Sequence, residues 1–126
     1  MSDQQPRPFV RRAADVTYDS VDAAPGLRKG VLIGEGDGAP NLAIRRFTLD
    51  AGASVPKHTN EIEHEQYVLD GEYEAGIEDD EYTVTAGDSL FIPAGVEHWY
   101  RNEGDTEAAF ICAVPTGDDE IRLTEE

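Results

Sequence analysis

Residues 87–102 read Gly87-Asp88-Ser89-Leu90-Phe91-Ile92-Pro93-Ala94-Gly95-Val96-Glu97-His98-Trp99-Tyr100-Arg101-Asn102. Two short β-type runs, 89–92 and 97–101, stand on either side of Pro93-Ala94-Gly95. Proline lacks the N–H that a strand ladder needs, and glycine accepts a left-handed backbone, so the chain turns there. Side chains alternate along a strand, so His98, Tyr100 and Asn102 share one face.

The same pattern extends outward in both directions. Further β-rich runs fall at 27–33, 41–49, 64–69, 72–77, 82–84 and 108–114, each bounded by Gly, Pro, Asp or Asn. Residues 34–40, Gly-Glu-Gly-Asp-Gly-Ala-Pro, form a loop between the first two of these runs. No segment carries a sustained helical period of apolar residues. Short, evenly spaced strands with Gly and Pro turns predict an all-β antiparallel sandwich, barrel or jelly roll. The domain spans 16–115, after an arm over 1–15 and before an acidic tail over 116–126, in which Ile121 and Leu123 can add an edge strand.

The three histidines sit at strand starts or loop ends: His58 after Gly52, His64 at the head of the run that closes on Gly71, and His98 after the Pro-Ala-Gly turn. Neighbouring antiparallel strands would bring such positions to one barrel mouth. Here the chain resembles the cupin superfamily. Gly52, His58, Asn60, His64 and Gly71 fall on the positions of its first motif, G-x5-H-x-H-x3-E-x6-G. Gly87, Pro93, Gly95, His98 and Asn102 match the second, G-x5-P-x-G-x2-H-x3-N. The resemblance implies a jelly-roll β-barrel with one metal near its centre. Asn60 stands where cupins carry their second His, and His64 where they carry Glu, so the nitrogen count returns to three. The run from Glu61 to Gly71 resembles a subgroup of small single-domain cupins with His at the Glu position.

The metal ligands expected on this basis are His58, His64 and His98, with Asn60 as a fourth ligand or a water-orienting group. Neutral imidazoles suit Mn, Fe, Ni, Cu or Zn rather than Mg or Ca, and one such ion per chain is expected. Three imidazoles leave an open coordination position, the condition for Lewis-acid or oxygen chemistry. With His64 inward, Gln66 and Val68 follow it, while Glu65, Tyr67 and Leu69 point away. In 108–114 the same alternation groups Phe110, Cys112 and Val114. Gln66, Phe110 and Cys112 are therefore the expected pocket walls. Arg45 is a possible cation, and Tyr100, Glu61 or Glu63 a possible proton carrier, with Tyr100 the catalytic candidate.

Cys112 is the only cysteine, which excludes an intramolecular disulfide and a cysteine-rich zinc module. With 27 acidic residues against 10 basic ones and a net charge of −17, nucleic acid is not an expected partner. No run approaches the roughly 18 apolar residues of a membrane span, and the opening residues lack a signal peptide's apolar stretch. The expectation is a cytoplasmic protein. Only Lys29 and Lys57 are lysines, and an acid-rich, lysine-poor surface suits a salt-loaded cytoplasm. The leading functional expectation is a mononuclear metal-dependent oxygenase of dioxygenase type acting on a small organic molecule. A non-catalytic metal-binding or ligand-binding cupin and a metal-assisted isomerase remain open. Exposed sheet edges and the arm lead us to expect a homodimer.

Overall fold

A computed structural model of the chain describes residues 6–117 and 121–124. The ends of the expected arm and parts of the tail, residues 1–5, 118–120 and 125–126, lie outside the described residues. Eleven strands follow in order among the described residues: β1 (Tyr18–Ser20), β2 (Leu27–Ile33), β3 (Leu42–Leu49), β4 (Ser54–Thr59), β5 (His64–Asp70), β6 (Glu72–Ile77), β7 (Asp80–Thr85), β8 (Ser89–Ile92), β9 (His98–Arg101), β10 (Ala108–Pro115) and β11 (Arg122–Leu123). The only helical structure among the described residues is a pair of 3-10 turns, Ala13–Asp15 and Glu35–Asp37.

The strands make two antiparallel sheets. One has six strands in the order β1-β2-β3-β10-β5-β8, and the other has five in the order β11-β4-β9-β6-β7. The fold is therefore all-β, and its facing sheets enclose the core. From β3 to β6, and again from β7 to β10, the chain changes sheet at every step. Each of these loops thus crosses between layers, and side chains from both sheets meet inside.

Alternation decides what goes in. Along β5 the side chains of His64, Gln66 and Val68 are buried while Glu65 and Tyr67 are exposed. In β10, Phe110, Cys112 and Val114 are buried, as their period-2 grouping predicts. Leu49, Val68, Tyr73 and Ile92 are almost fully enclosed, and each contributes about 1.5–3 kcal/mol through the apolar surface removed from water. The turn between β5 and β6 needs glycine. Gly71 has φ 74°, and a β-carbon there would meet the Glu107 carbonyl oxygen at 2.8 Å.

The short strand expected from Ile121 and Leu123 is β11, which lies against β4 with Leu123 opposite His58. The described part of the arm is tied to the 30–37 region through one side chain. Its Arg11 pairs with Asp37 at 2.7 Å and also donates to the carbonyl of Leu32, and β1 then pairs with β2.

Candidate active site

The interior of the barrel holds a cavity of about 900 Å³. His58, His64 and His98 all line it, although His58 and His98 come from β4 and β9 of the five-stranded sheet and His64 from β5 of the six-stranded one. His58 and His98 are register partners across the β4–β9 pair, beside a bulge that interrupts the ladder after Val55. Their rings lie 4.1 Å apart, and those of His64 and His98 6.2 Å apart. Each ring is almost fully buried.

Hydrogen bonds orient two of the rings. His58 Nδ1 lies 2.7 Å from the carbonyl of Pro56, and His98 Nδ1 lies 2.9 Å from that of Val96. A carbonyl can only accept, so both Nδ1 atoms carry the proton, and in the neutral rings Nε2 keeps its lone pair. The backbone in front of His98 is anchored in turn. Gly95 has φ 80°, and its N–H donates to the carbonyl of Asn60 at 2.9 Å, tying the two motif loops together. His64 is held differently, with its Nδ1 3.1 Å from Cys112 Sγ. That contact is met either by S–H donating to the ring or by Nδ1–H donating to sulfur, and only the second leaves Nε2 as a donor atom for a metal.

These residues suit a transition metal in chemistry and, for His58 and His98, in tautomer. Two imidazoles on one first-row ion hold their ring centroids roughly 5 Å apart, given metal–nitrogen bonds of about 2 Å. The observed separations of 4.1 and 6.2 Å bracket that value. As the side chains stand, no group of three or more His, Cys, Asp or Glu among the described residues is set to hold an ion. Binding would therefore have to shift the rings, bringing His64 nearer to His98 and parting His98 from His58.

The other expected site residues divide into three sets. Asn60, Gln66, Tyr100 and Phe110 line the cavity with the histidines. Gln66 Nε2 donates to the Tyr100 hydroxyl at 2.7 Å, and Gln66 Oε1 is buried with no hydrogen-bond partner among the described residues. Phe110 stacks on Phe47 at 5.2 Å, and both Tyr100 and Tyr73 pack against it.

Cys112 corrects the expectation that it walls the pocket. It is fully buried behind the lining, where its sulfur contacts His64 and accepts from Arg45 NH2 at 3.7 Å. Glu61 and Glu63 are also set aside as proton carriers. Both are exposed outside the cavity, and Glu61 is engaged by Arg122 at 2.7 Å. The motif residue Asn102 shares the His98 face but serves the loops, donating to the carbonyls of Leu49 and Thr106.

Some lining residues were not anticipated. Phe47 joins Arg45 on the inner side of β3, as the alternation Arg45, Phe47, Leu49 could have indicated. Arg11 and Asp37 line the cavity from the arm and the 34–40 loop, where no strand periodicity could point to them. Tyr73 is buried deep in the aromatic cluster, and burial pushes its phenol pKa up, with the nearby Cys112 adding to the rise.

Residues 45–114 match the Cupin_2 cupin domain family, and the chain belongs to that family. The structure of the polyketide cyclase RemF from Streptomyces resistomycificus is similar to it, with a TM-score of 0.87 and 26% identity over 95% of this chain and 87% of RemF. Protein SchB from Streptomyces halstedii is 28% identical over 107 residues, covering 80% of this chain and 76% of SchB. The polyketide synthase CurC from Streptomyces cyaneus is 30% identical over 82 residues, covering 64% of this chain and about half of CurC, 51%.

Proposed function

We propose that this cupin is a metal-dependent cyclase that closes rings on small polyketone molecules. The observation that carries the reading is the convergence of three imidazoles from two sheets on one cavity of about 900 Å³, walled on another side by aromatic rings. The likeness to RemF supports it. In such a ring closure a CH2 flanked by carbonyls gives up a proton and its carbon attacks a second carbonyl. The alkoxide oxygen gains a proton, and water is then lost.

His58, His64 and His98 would hold the ion, which when bound supplies Lewis-acid polarisation of a carbonyl. The chain's own residues do the rest. Phe47 and Phe110 give the cavity an apolar wall against which a folded chain of ketones can lie. Tyr100 accepts the Gln66 amide bond, so its hydroxyl hydrogen is directed to donate, and it can protonate the forming alkoxide. Asn60 and the Gln66 carbonyl oxygen offer polar contacts to an enol hydroxyl or a bound water.

A dioxygenase would use the same donors but consume O2. Incubating the protein with a synthetic phenyl triketone, in air and under argon, separates the two readings. Loss of one water to a ring-closed product at equal rates in both atmospheres is the expected result. Product formation only in air, with matching oxygen uptake, would replace the cyclase reading with the dioxygenase one. No turnover in either would leave a binding protein.

A further inference from the structure

We infer that a second copy of this chain docks on the outer face of the six-stranded sheet, face against face, with Arg46 and Glu65 paired across the contact. The inference goes beyond the proposed function and does not depend on the chemistry of the cavity.

The alternation that turns Arg45, Phe47, Phe110 and Cys112 inward turns Ile44, Arg46, Ile111 and Ala113 outward, away from the core cluster. Strand pairing lines these outer positions into rows. One row runs through Ile33, Ile44, Ala113, Glu65 and Phe91, from β2 across to β8. The next holds Arg46, Ile111 and Tyr67. Phe91 and Tyr67 are more than half exposed, and Ile33 more than a third. A sheet with water on its outer side places polar residues there. The five-stranded sheet does so, with Thr83, Glu74 and Arg101 in one outward row. The six-stranded sheet does not, and a contiguous apolar face marks a contact surface.

Charge selects the second copy as the occupant. Two chains of net charge −17 repel each other over most of their surfaces, so they can meet only where acid is sparse. In these rows the charged side chains are Arg46 and Glu65, which are opposite in sign and flank β10 from β3 and β5. Neither has an ion-pair partner among the described residues, and Arg46 donates instead to the Tyr18 hydroxyl at 3.2 Å. A two-fold axis along β10 would lay β3 over the partner's β5. Each Arg46 then meets Glu65 of the partner subunit, and Ile111 meets Ile111 of the partner subunit. Packed sheets lie about 10 Å apart and the two rows about 7 Å apart along the strand, a diagonal that an arginine and a glutamate side chain together span.

The test is sedimentation equilibrium of the full chain at moderate salt, where a dimer is expected. Arg46→Glu and Glu65→Arg should each weaken association at least about tenfold, because each sets like charges face to face twice in the dimer. The double exchange should recover most of that loss, which a misfolded chain could not do. Hydroxyl-radical footprinting needs no variant. Tyr67 and Phe91 should be protected in concentrated protein and reactive in dilute protein, while Tyr82, half-exposed on β7 of the other sheet, reacts equally in both. A monomer in the unaltered protein overturns the inference, as does a dimer that the single exchanges leave intact or the double exchange does not restore. Equal reactivity of Tyr67 at both concentrations also overturns it. If Tyr67 is reactive in both, the chains meet elsewhere, and if it is protected in both, a segment of the same chain covers the face.

Discussion

The Nδ1 atoms of His58 and His98 are committed to backbone carbonyls, whereas that of His64 meets a thiol. His64 is therefore the ring whose tautomer can switch, and the one at which the proposed metal binding would be decided. His64→Ala should abolish stoichiometric metal, read as metal per chain by elemental analysis of protein purified without a metal-leaching tag. Full occupancy in that variant would remove His64 from the ligand set. Cys112→Ala takes away the thiol that contacts His64 and Arg45 and should weaken affinity by about 10–100-fold. An unchanged dissociation constant would mean that the sulfur plays no part in holding the ring. Most of this site was legible beforehand. Histidine spacing and period-2 alternation brought His58, His64, His98, Gln66, Tyr100 and Phe110 to one cavity. Cys112 lay on the right face of its strand, but alternation cannot tell a wall from the layer behind it.

Among the elements, the strands were the most readable, because half-buried strands alternate apolar and polar residues. Strands β2, β6 and β8 have the bounds read from the sequence. Strand β7 begins earlier, at Asp80, because the turn at Glu78–Asp79 pairs Ile77 with Asp80, and polar residues there carry no hydrophobic signal. The arm was the least readable element, since a charge pair rather than packing fixes it. Arg11 holds the Asp37 carboxyl down to about 2, helped by the Gly34 N–H. The folded value lies below the ordinary carboxylate value, so this contribution is fully present above about pH 4. It is lost as the pH falls through about 2. Hydrogen exchange over residues 9–16 should therefore show the same protection factors from pH 7 down to pH 4. Arg11→Gln should lower that protection throughout the range. Equal protection in the variant would show that β1 alone secures the arm.

For the molecule as a whole, charge and edges dominate. Strand β8 closes one edge of the six-stranded sheet, with Phe91 and neighbouring Tyr67 both more than half exposed. Association of two chains through this edge would cover them. Light scattering should give twice 13.8 kDa, and Phe91→Glu should return the mass to 13.8 kDa. A 13.8 kDa particle in the unaltered protein would end the dimer proposal. At net charge −17 the folded chain repels itself, so the thermal midpoint should climb steeply with KCl until the Debye length falls to about 3 Å near 1 M. It should then rise more slowly as salt exclusion strengthens apolar burial. Melts across a KCl series, at fixed metal occupancy, would show a flat or falling midpoint if the acidity is not a salt adaptation. The partly exposed Arg11–Asp37 pair, which lines the cavity, should respond to the same ions in the opposite direction, because screening weakens a surface pair while it relieves repulsion over the rest of the molecule. Salt would thus steady the barrel while loosening the pair that ties the arm to it, so a brine that prolonged the fold would also be one in which the arm lets go most readily.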